Sequence, residues 1–196
     1  SNDYGSETLN AYEIGLHSQL SQSIRLYSAA FYYDYQDQQV FMNQSAITLG
    51  APPLQLLSNV GKSTIYGVEF DLNAQITAAF STQLSVGYLP EANLESFVDT
   101  AGVEINDNRL PFTSEWNIAA QADYVVELSS GQLNFHLDAD YQSEFYFDQN
   151  QSPFAMQEDY ILWNARVAWE SANWTLGVWA KNLTDEEYSH LKFDLV

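Results

Sequence analysis

Residues 132–142, QLNFHLDADYQ, alternate apolar and polar side chains with a period of two. Leu133, Phe135, Leu137, Ala139 and Tyr141 fall on one face of an extended chain, and Asn134, His136, Asp138, Asp140 and Gln142 fall on the other. Wound as a helix, the stretch would set Asp138 among Phe135 and Leu137 and bury its charge. The spacing predicts a β-strand.

Seven more segments follow the rule. Their apolar sets are, first, Tyr12, Ile14, Leu16 and Leu20; second, Tyr27, Ala29, Phe31 and Tyr33, opposite Ser28, Asp34 and Gln36; and third, Tyr66, Val68, Phe70 and Leu72. A fourth has Leu84, Val86 and Tyr88, and a fifth Trp116, Ile118, Ala120, Ala122, Tyr124 and Val126. After QLNFHLDADYQ come Ile161, Trp163, Ala165, Val167 and Trp169, then Trp174, Leu176, Val178 and Ala180 in a last strand expected to reach about Tyr188. Many of these strands run to ~10 residues or more, where soluble proteins average ~5–6. A tilted strand needs ~9–11 residues to cross a bilayer. Length therefore points to a membrane, which alternation alone does not, because any half-buried antiparallel sheet alternates.

Composition narrows the class. With 26 acidic and 6 basic residues the net charge is -20, which argues against a nucleic-acid partner, since phosphate binding needs Lys and Arg. The chain is nevertheless 46% hydrophobic, too apolar for disorder. Aromatics make up 15%, in keeping with strands and with the girdles that mark membrane interfaces. Without cysteine there is no disulfide framework and no thiolate metal site. No apolar run of ~18 residues offers a transmembrane helix, and SNDYGSETLN has no signal-peptide pattern, so an exported protein is expected here as a mature or truncated chain.

The links between strands are of two kinds. Short ones lie around Ser21-Gln22, at 79–81, at 129–131 and at 171–173; long ones cover 38–62, with Pro52-Pro53, and the acidic stretches 90–111 and 148–159. Short turns at one end and long loops at the other characterise outer-membrane barrels, where the short turns are periplasmic. On that reading the first strand begins, and the eighth ends, at the extracellular end. A complete small barrel has both ends in the periplasm, so the expectation is an arc of a larger barrel.

Three stretches carry a family resemblance: 59–75, NVGKSTIYGVEFDLNAQ; 182–189, NLTDEEYS; and 7–39, with a Tyr-Glu-x-Gly hairpin leading to an aromatic-rich strand. In their order along the chain they resemble the C-terminal part of the barrel of a TonB-dependent outer-membrane receptor. The resemblance implies an all-β antiparallel transmembrane barrel segment, here of about eight strands, belonging to a barrel of the 22-stranded type. It covers residues 1–196 as one partial barrel domain. It implies residence in the outer membrane of a Gram-negative bacterium, contact with outer-membrane lipid, and active uptake of a small extracellular ligand. A ferric siderophore leads, with a glycan or corrinoid as alternatives. Coupling to the TonB complex would run through a plug domain that this sequence does not contain. The sequence also departs from the family in having no coupling box, and it stops at Lys192-Phe193-Asp194-Leu195-Val196, where the family adds a closing strand ending in Phe.

The loops carry the candidate ligand contacts: Phe41, Asn43, Gln44, Phe97, Arg109, Phe147 and Phe154. Arg109, the one cation of the middle loop, suits an anionic ligand group or a neighbouring carboxylate. The acidic Glu91, Glu95, Asp99, Glu104, Asp107, Asp148, Glu158 and Asp159 could steer a cationic or metal-loaded ligand, or simply keep the loops solvated. Along the strands, Glu69, Asp71, Asp123, Asp138, Asp140, Glu144 and Arg166 read as a wetted interior wall, a ligand path or plug contacts. His136 beside Asp138 invites a catalytic or metal story, but no nucleophile elbow accompanies it. No catalytic residue, metal or cofactor is expected. Two other readings are a passive porin or small structural barrel, and a soluble ligand-binding β-sandwich.

Overall fold

A computed structural model describes residues 5–44, 54–59, 61–95, 97, 98 and 104–192, the side chains of 40–44, 54–58, 97, 98, 104 and 105 excepted. In chain order the strands are β1 (Thr8–Gln19), β2 (Ile24–Gln36), β3 (Gln39–Gln44), β4 (Leu54–Asn59), β5 (Ser63–Thr77), β6 (Phe80–Leu94), β7 (Phe97–Val98), β8 (Glu104–Ile105), β9 (Asn108–Arg109), β10 (Trp116–Leu128), β11 (Gly131–Gln142), β12 (Phe145–Tyr146), β13 (Met156–Gln157), β14 (Tyr160–Glu170) and β15 (Thr175–Ala180). The eight expected strands are all present. They form one antiparallel sheet in the order β1-β2-β5-β6-β10-β11-β14-β15, with β9 adding a short rung beside β6. Two packed sheets, as in a sandwich, are not what these strands build.

Short turns close one end of the sheet. One of the two tightest, between β10 and β11, needs Gly131 at φ +138, a conformation that L side chains rarely adopt. The other end carries the long segments and their hairpins β3–β4, β7–β8 and β12–β13.

Directly paired residues of an antiparallel ladder point to the same side, so register assigns the faces. One rung runs Tyr27, Asp71, Ser85, Ala119, Asp140, Leu162; the next runs Ala29, Glu69, Gly87, Asn117, Gln142, Tyr160. Together with Asp123, Asp138 and Arg166 these residues define a polar face. Glu144, grouped with them in sequence, lies past the end of β11.

Register also corrects the reading of β2. Tyr27, Ala29, Phe31 and Tyr33 pair with Asp71, Glu69, Gly67 and Ile65 and so stand on the polar face, while Ile24, Leu26, Ala30 and Tyr32 continue the apolar one. Both parities of this strand carry aromatic or aliphatic residues, and the hairpin pairing of Gln19 with Arg25 decides between them.

Rings line both margins of the apolar face. Tyr12, Tyr32 and Tyr66 share one rung; Tyr88 and Trp116 share the next, with centroids 4.2 Å apart; Tyr141 and Trp163 each lie one rung further along. Near the short turns, Phe80, Tyr124 and Phe135 form a second line that continues to Trp169. Trp116 and Tyr124 are eight positions apart on β10, about 27 Å along a strand.

Two local departures shape the loop end. Between Tyr66/Val68 and Tyr88/Glu91 the register shifts, a bulge that accommodates Leu89 and Pro90 within β6. Proline has no ladder N–H to give, and a bulge is where a strand tolerates it. The strand therefore continues to Leu94 rather than ending before Pro90. In contrast, β15 stops at Ala180, well short of Tyr188. Asn182 (φ 50) and Asp185 (φ 55) take a left-handed turn, in which the Asn182 side chain accepts from the Glu186 N–H (2.8 Å) and donates to its carbonyl (2.9 Å). That local bonding displaces the ladder.

Candidate functional site

At the loop end the sheet's polar face is covered by its own loops. Above the bulge Ala92 pairs with Ile65 and Leu94 with Ser63, so these apolar residues point to the polar side. Leu110 closes over Ala92 and Leu94, with Ile65 and Leu89 against them. A second small core joins Phe145, Phe147 and Ala155 to Tyr160. The loops meet: the Phe112 N–H donates to the Tyr146 carbonyl (2.8 Å), the Asn108 amide donates to the Gln149 carbonyl (2.9 Å), and the Phe112 and Phe147 rings meet edge-on at 5.5 Å. From the sheet, the Gln142 amide donates to Ser114 Oγ (2.8 Å) and accepts from the Tyr160 hydroxyl (2.6 Å).

Arg109 sits in the crook of this assembly. Its guanidinium donates to the Thr113 carbonyl (3.0 Å), to the Pro90 carbonyl (3.5 Å) and to the Leu89 carbonyl. The last two belong to the residues that the bulge leaves without a pair on β5. Burial pulls the guanidinium below its ordinary pKa, while Glu115 and Glu91 oppose that shift. The side chain offered by sequence as a ligand cation therefore makes its hydrogen bonds to backbone oxygens.

The other loop candidates separate cleanly. Phe147 is 7% exposed and belongs to the loop core, whereas Phe154 is 76% exposed. Phe154 stands on the short 3-10 turn Pro153–Ala155, whose preceding Ser152 accepts the Phe154 N–H (3.3 Å) and whose Ala155 is fully buried. The backbones of Phe41, Asn43 and Gln44 lie in β3 and that of Phe97 in β7, but their side chains are outside the described residues. Beside Phe154's turn, an open hollow of about 630 Å³ is lined by Pro153, Glu158, Glu186, Tyr188 and Lys192, among others.

Below the loops, the polar face holds a recess of about 580 Å³. Its floor is small: Ser85, Gly87 and Ala119. Glu69 and Asp71 wall one side and Asp140 and Tyr160 the other, and Ser85 Oγ donates to Asp71 at 2.5 Å. Nearer the short turns, His136 is held between Asp123 (2.7 Å from Nδ1) and Asp138 (3.2 Å from Nε2), and Asn164 donates to Asp138 at 2.6 Å. Carboxylates only accept, so both contacts are hydrogen bonds when both ring nitrogens carry hydrogen. Among the described residues no group of His, Asp and Glu is arranged to hold a metal ion.

Sequence reasoning missed the rings on this face. The His17 and Tyr27 rings stack at 4.2 Å, Phe31 and Tyr33 at 5.1 Å, and the Tyr33 hydroxyl donates to Glu13. Carrying the parity of β1 through the hairpin would have found them. The arrangement as a whole is a wall of carboxylates, amides and aromatic faces under a cap of interlocked loops. Such a wall can bind and guide a solute.

Comparison with known proteins agrees with this architecture. The family model for the TonB dependent receptor-like β-barrel matches residues 1–183. No curated protein is similar enough in sequence to count as a relative. Among solved structures, the ferric yersiniabactin uptake receptor FyuA from Yersinia pestis superposes with a TM-score of 0.75 at 22% identity, over 94% of this chain and 26% of that one. The siderophore receptor PiuA from Acinetobacter baumannii gives 0.70 at 22% identity, over 92% and 25%. The ferric-catecholate import receptor Fiu from K12 E. coli gives 0.67 at 20% identity, over 96% and 25%. The chain thus spans about a quarter of the length of these structures. By fold, register and family model alike, it belongs to the TonB-dependent receptor β-barrel family.

Proposed function

We propose that this chain is an arc of the barrel wall of an outer-membrane transporter that takes up a scarce nutrient with energy delivered through TonB. The apolar face lies against lipid, the polar face lines the lumen, and the long loops are extracellular. The observation that carries the membrane reading is the pair of aromatic lines bounding a face that is apolar but for the small hydroxyls Ser18, Ser28 and Thr82, the position of interfacial girdles in such barrels. A ferric siderophore is the favoured cargo, because the similar structures include receptors for ferric yersiniabactin and ferric catecholates. A glycan or corrinoid is the alternative. Phe154 and the hollow beside it form the leading ligand-contact surface of this arc; Arg109 and Phe147 support it from beneath. Phe41, Asn43, Gln44 and Phe97 complete the proposed loop contacts.

The test expresses the full-length receptor in a Gram-negative host stripped of its own iron receptors, with and without TonB. Radio-iron is supplied as hydroxamate, catecholate and phenolate chelates, with labelled cobalamin and an oligosaccharide in parallel. Accumulation of one of these that requires TonB supports the reading. Entry of small solutes at equal rates in both hosts would sink it in favour of passive diffusion.

A further inference from the structure

We infer that Arg109 is a positioning residue for Phe154, so that the loop segments 104–115 and 143–159 stand on the barrel as one body. The inference rests on the reading of the loop end as the ligand-facing end.

The chain of contacts is continuous. The bulge leaves Leu89 and Pro90 of β6 with no paired residue on β5, and the guanidinium donates to both of their carbonyls while also holding the Thr113 carbonyl. Three acceptors from two separate segments are thus tied by one rigid fork, which fixes residues 109–113 against the wall. Phe112, held at φ 60, is the next link. Its N–H is tied to the Tyr146 carbonyl, and its ring meets the edge of Phe147. Phe147 in turn takes its N–H to the Ala155 carbonyl (2.8 Å), the residue next to Phe154. Ala155 is fully buried in the same small core as Phe145 and Phe147, which leaves the turn under Phe154 little room to shift.

An exposed ring on a pre-set support loses less freedom on binding than one on a mobile loop, which favours affinity. Lysine cannot replace arginine here: one ammonium has no planar fork to bridge three carbonyl oxygens on different segments.

The experiment uses the full-length receptor in detergent micelles, with its other cysteines replaced. Spin labels are placed at Phe154→Cys and, as a fixed reference at the short-turn end, at Ser130→Cys. The parent should give one narrow distance distribution. Arg109→Ala and Arg109→Lys should each broaden it about two-fold or more and raise amide exchange in residues 143–159 as well as 107–115. Phe112→Ala, which leaves the guanidinium contacts in place, should broaden the Phe154 distance while the amides of 107–110 stay protected. It also carries the test if an Arg109 variant does not fold. An unchanged Phe154 distance in folded Arg109→Ala, with exchange raised only in 107–115, would overturn the inference. So would an unchanged distance in Phe112→Ala. Because the readout is geometric, failure of the transport reading would leave this result standing.

Discussion

Ala119 and Ala120 are adjacent alanines on β10 whose side chains point to opposite faces of the sheet. Ala120 lies on the apolar face, four positions from Trp116 and four from Tyr124, midway between the two aromatic lines. A lysine there would stand in the centre of the hydrocarbon, at a cost of ~2–4 kcal/mol for a lipid-facing position near the midplane. At 1.36 kcal/mol per decade this is a loss of about 30- to 900-fold in the folding equilibrium. Ala119 pairs with Asp140 and with Ser85 on the wet face, so a lysine there gains a carboxylate neighbour and should move stability by no more than ~1 kcal/mol in either direction. The assay is urea unfolding of the full-length receptor in lipid vesicles, followed by heat-modifiable migration, for Ala119→Lys and Ala120→Lys side by side. Equal losses, or the greater loss at Ala119, would refute the assignment of faces and with it the membrane reading.

Two further outcomes follow from the register and the turns. Cysteines introduced singly at Ala29 and Ala30 in the full-length receptor should differ in labelling: a water-soluble maleimide should reach Ala29→Cys at least about tenfold faster than Ala30→Cys, and the reverse order would restore the sequence-based reading of β2. Gly131→Ala should lower stability by about 2 kcal/mol or more, because its Cβ would lie 2.0 Å from the Glu170 carbonyl oxygen at a φ of +138. A denaturant midpoint within error of the parent would contradict that.

Much of this fold was legible in the sequence, and the failures have specific causes. Alternation places β11 unambiguously because His136, Asp138 and Asp140 all share one parity. In β2 it has no sign, since Tyr27, Phe31 and Tyr33 on one side compete with Ile24, Leu26 and Tyr32 on the other; only cross-strand pairing separates them. Pro90 looked like the start of a loop because proline removes a ladder donor, yet the bulge absorbs that loss and carries β6 on to Leu94. Arg109 suited an anionic ligand group or a neighbouring carboxylate by sequence, and its bonds to the Leu89, Pro90 and Thr113 carbonyls were not legible because the bulge that sets the first two in place is not. Phe147 and Phe154 were indistinguishable as loop phenylalanines, and their separation into core and tip is a product of how residues 143–159 fold back on Tyr160.

The order of the sheet has a consequence for how such a wall is assembled. Each of β2, β5, β6, β10, β11 and β14 pairs with the sheet strand before it and the one after it in the chain. Each finished hairpin therefore presents a complete row of backbone donors and acceptors to the hairpin that follows. The sheet can grow like a zip, one hairpin at a time, with each step closing contacts between neighbours in sequence. Partial arcs along that path are bounded by one open hydrogen-bonding edge at each margin, so the edge that waits for the next hairpin is where a growing wall is most exposed to a wrong partner.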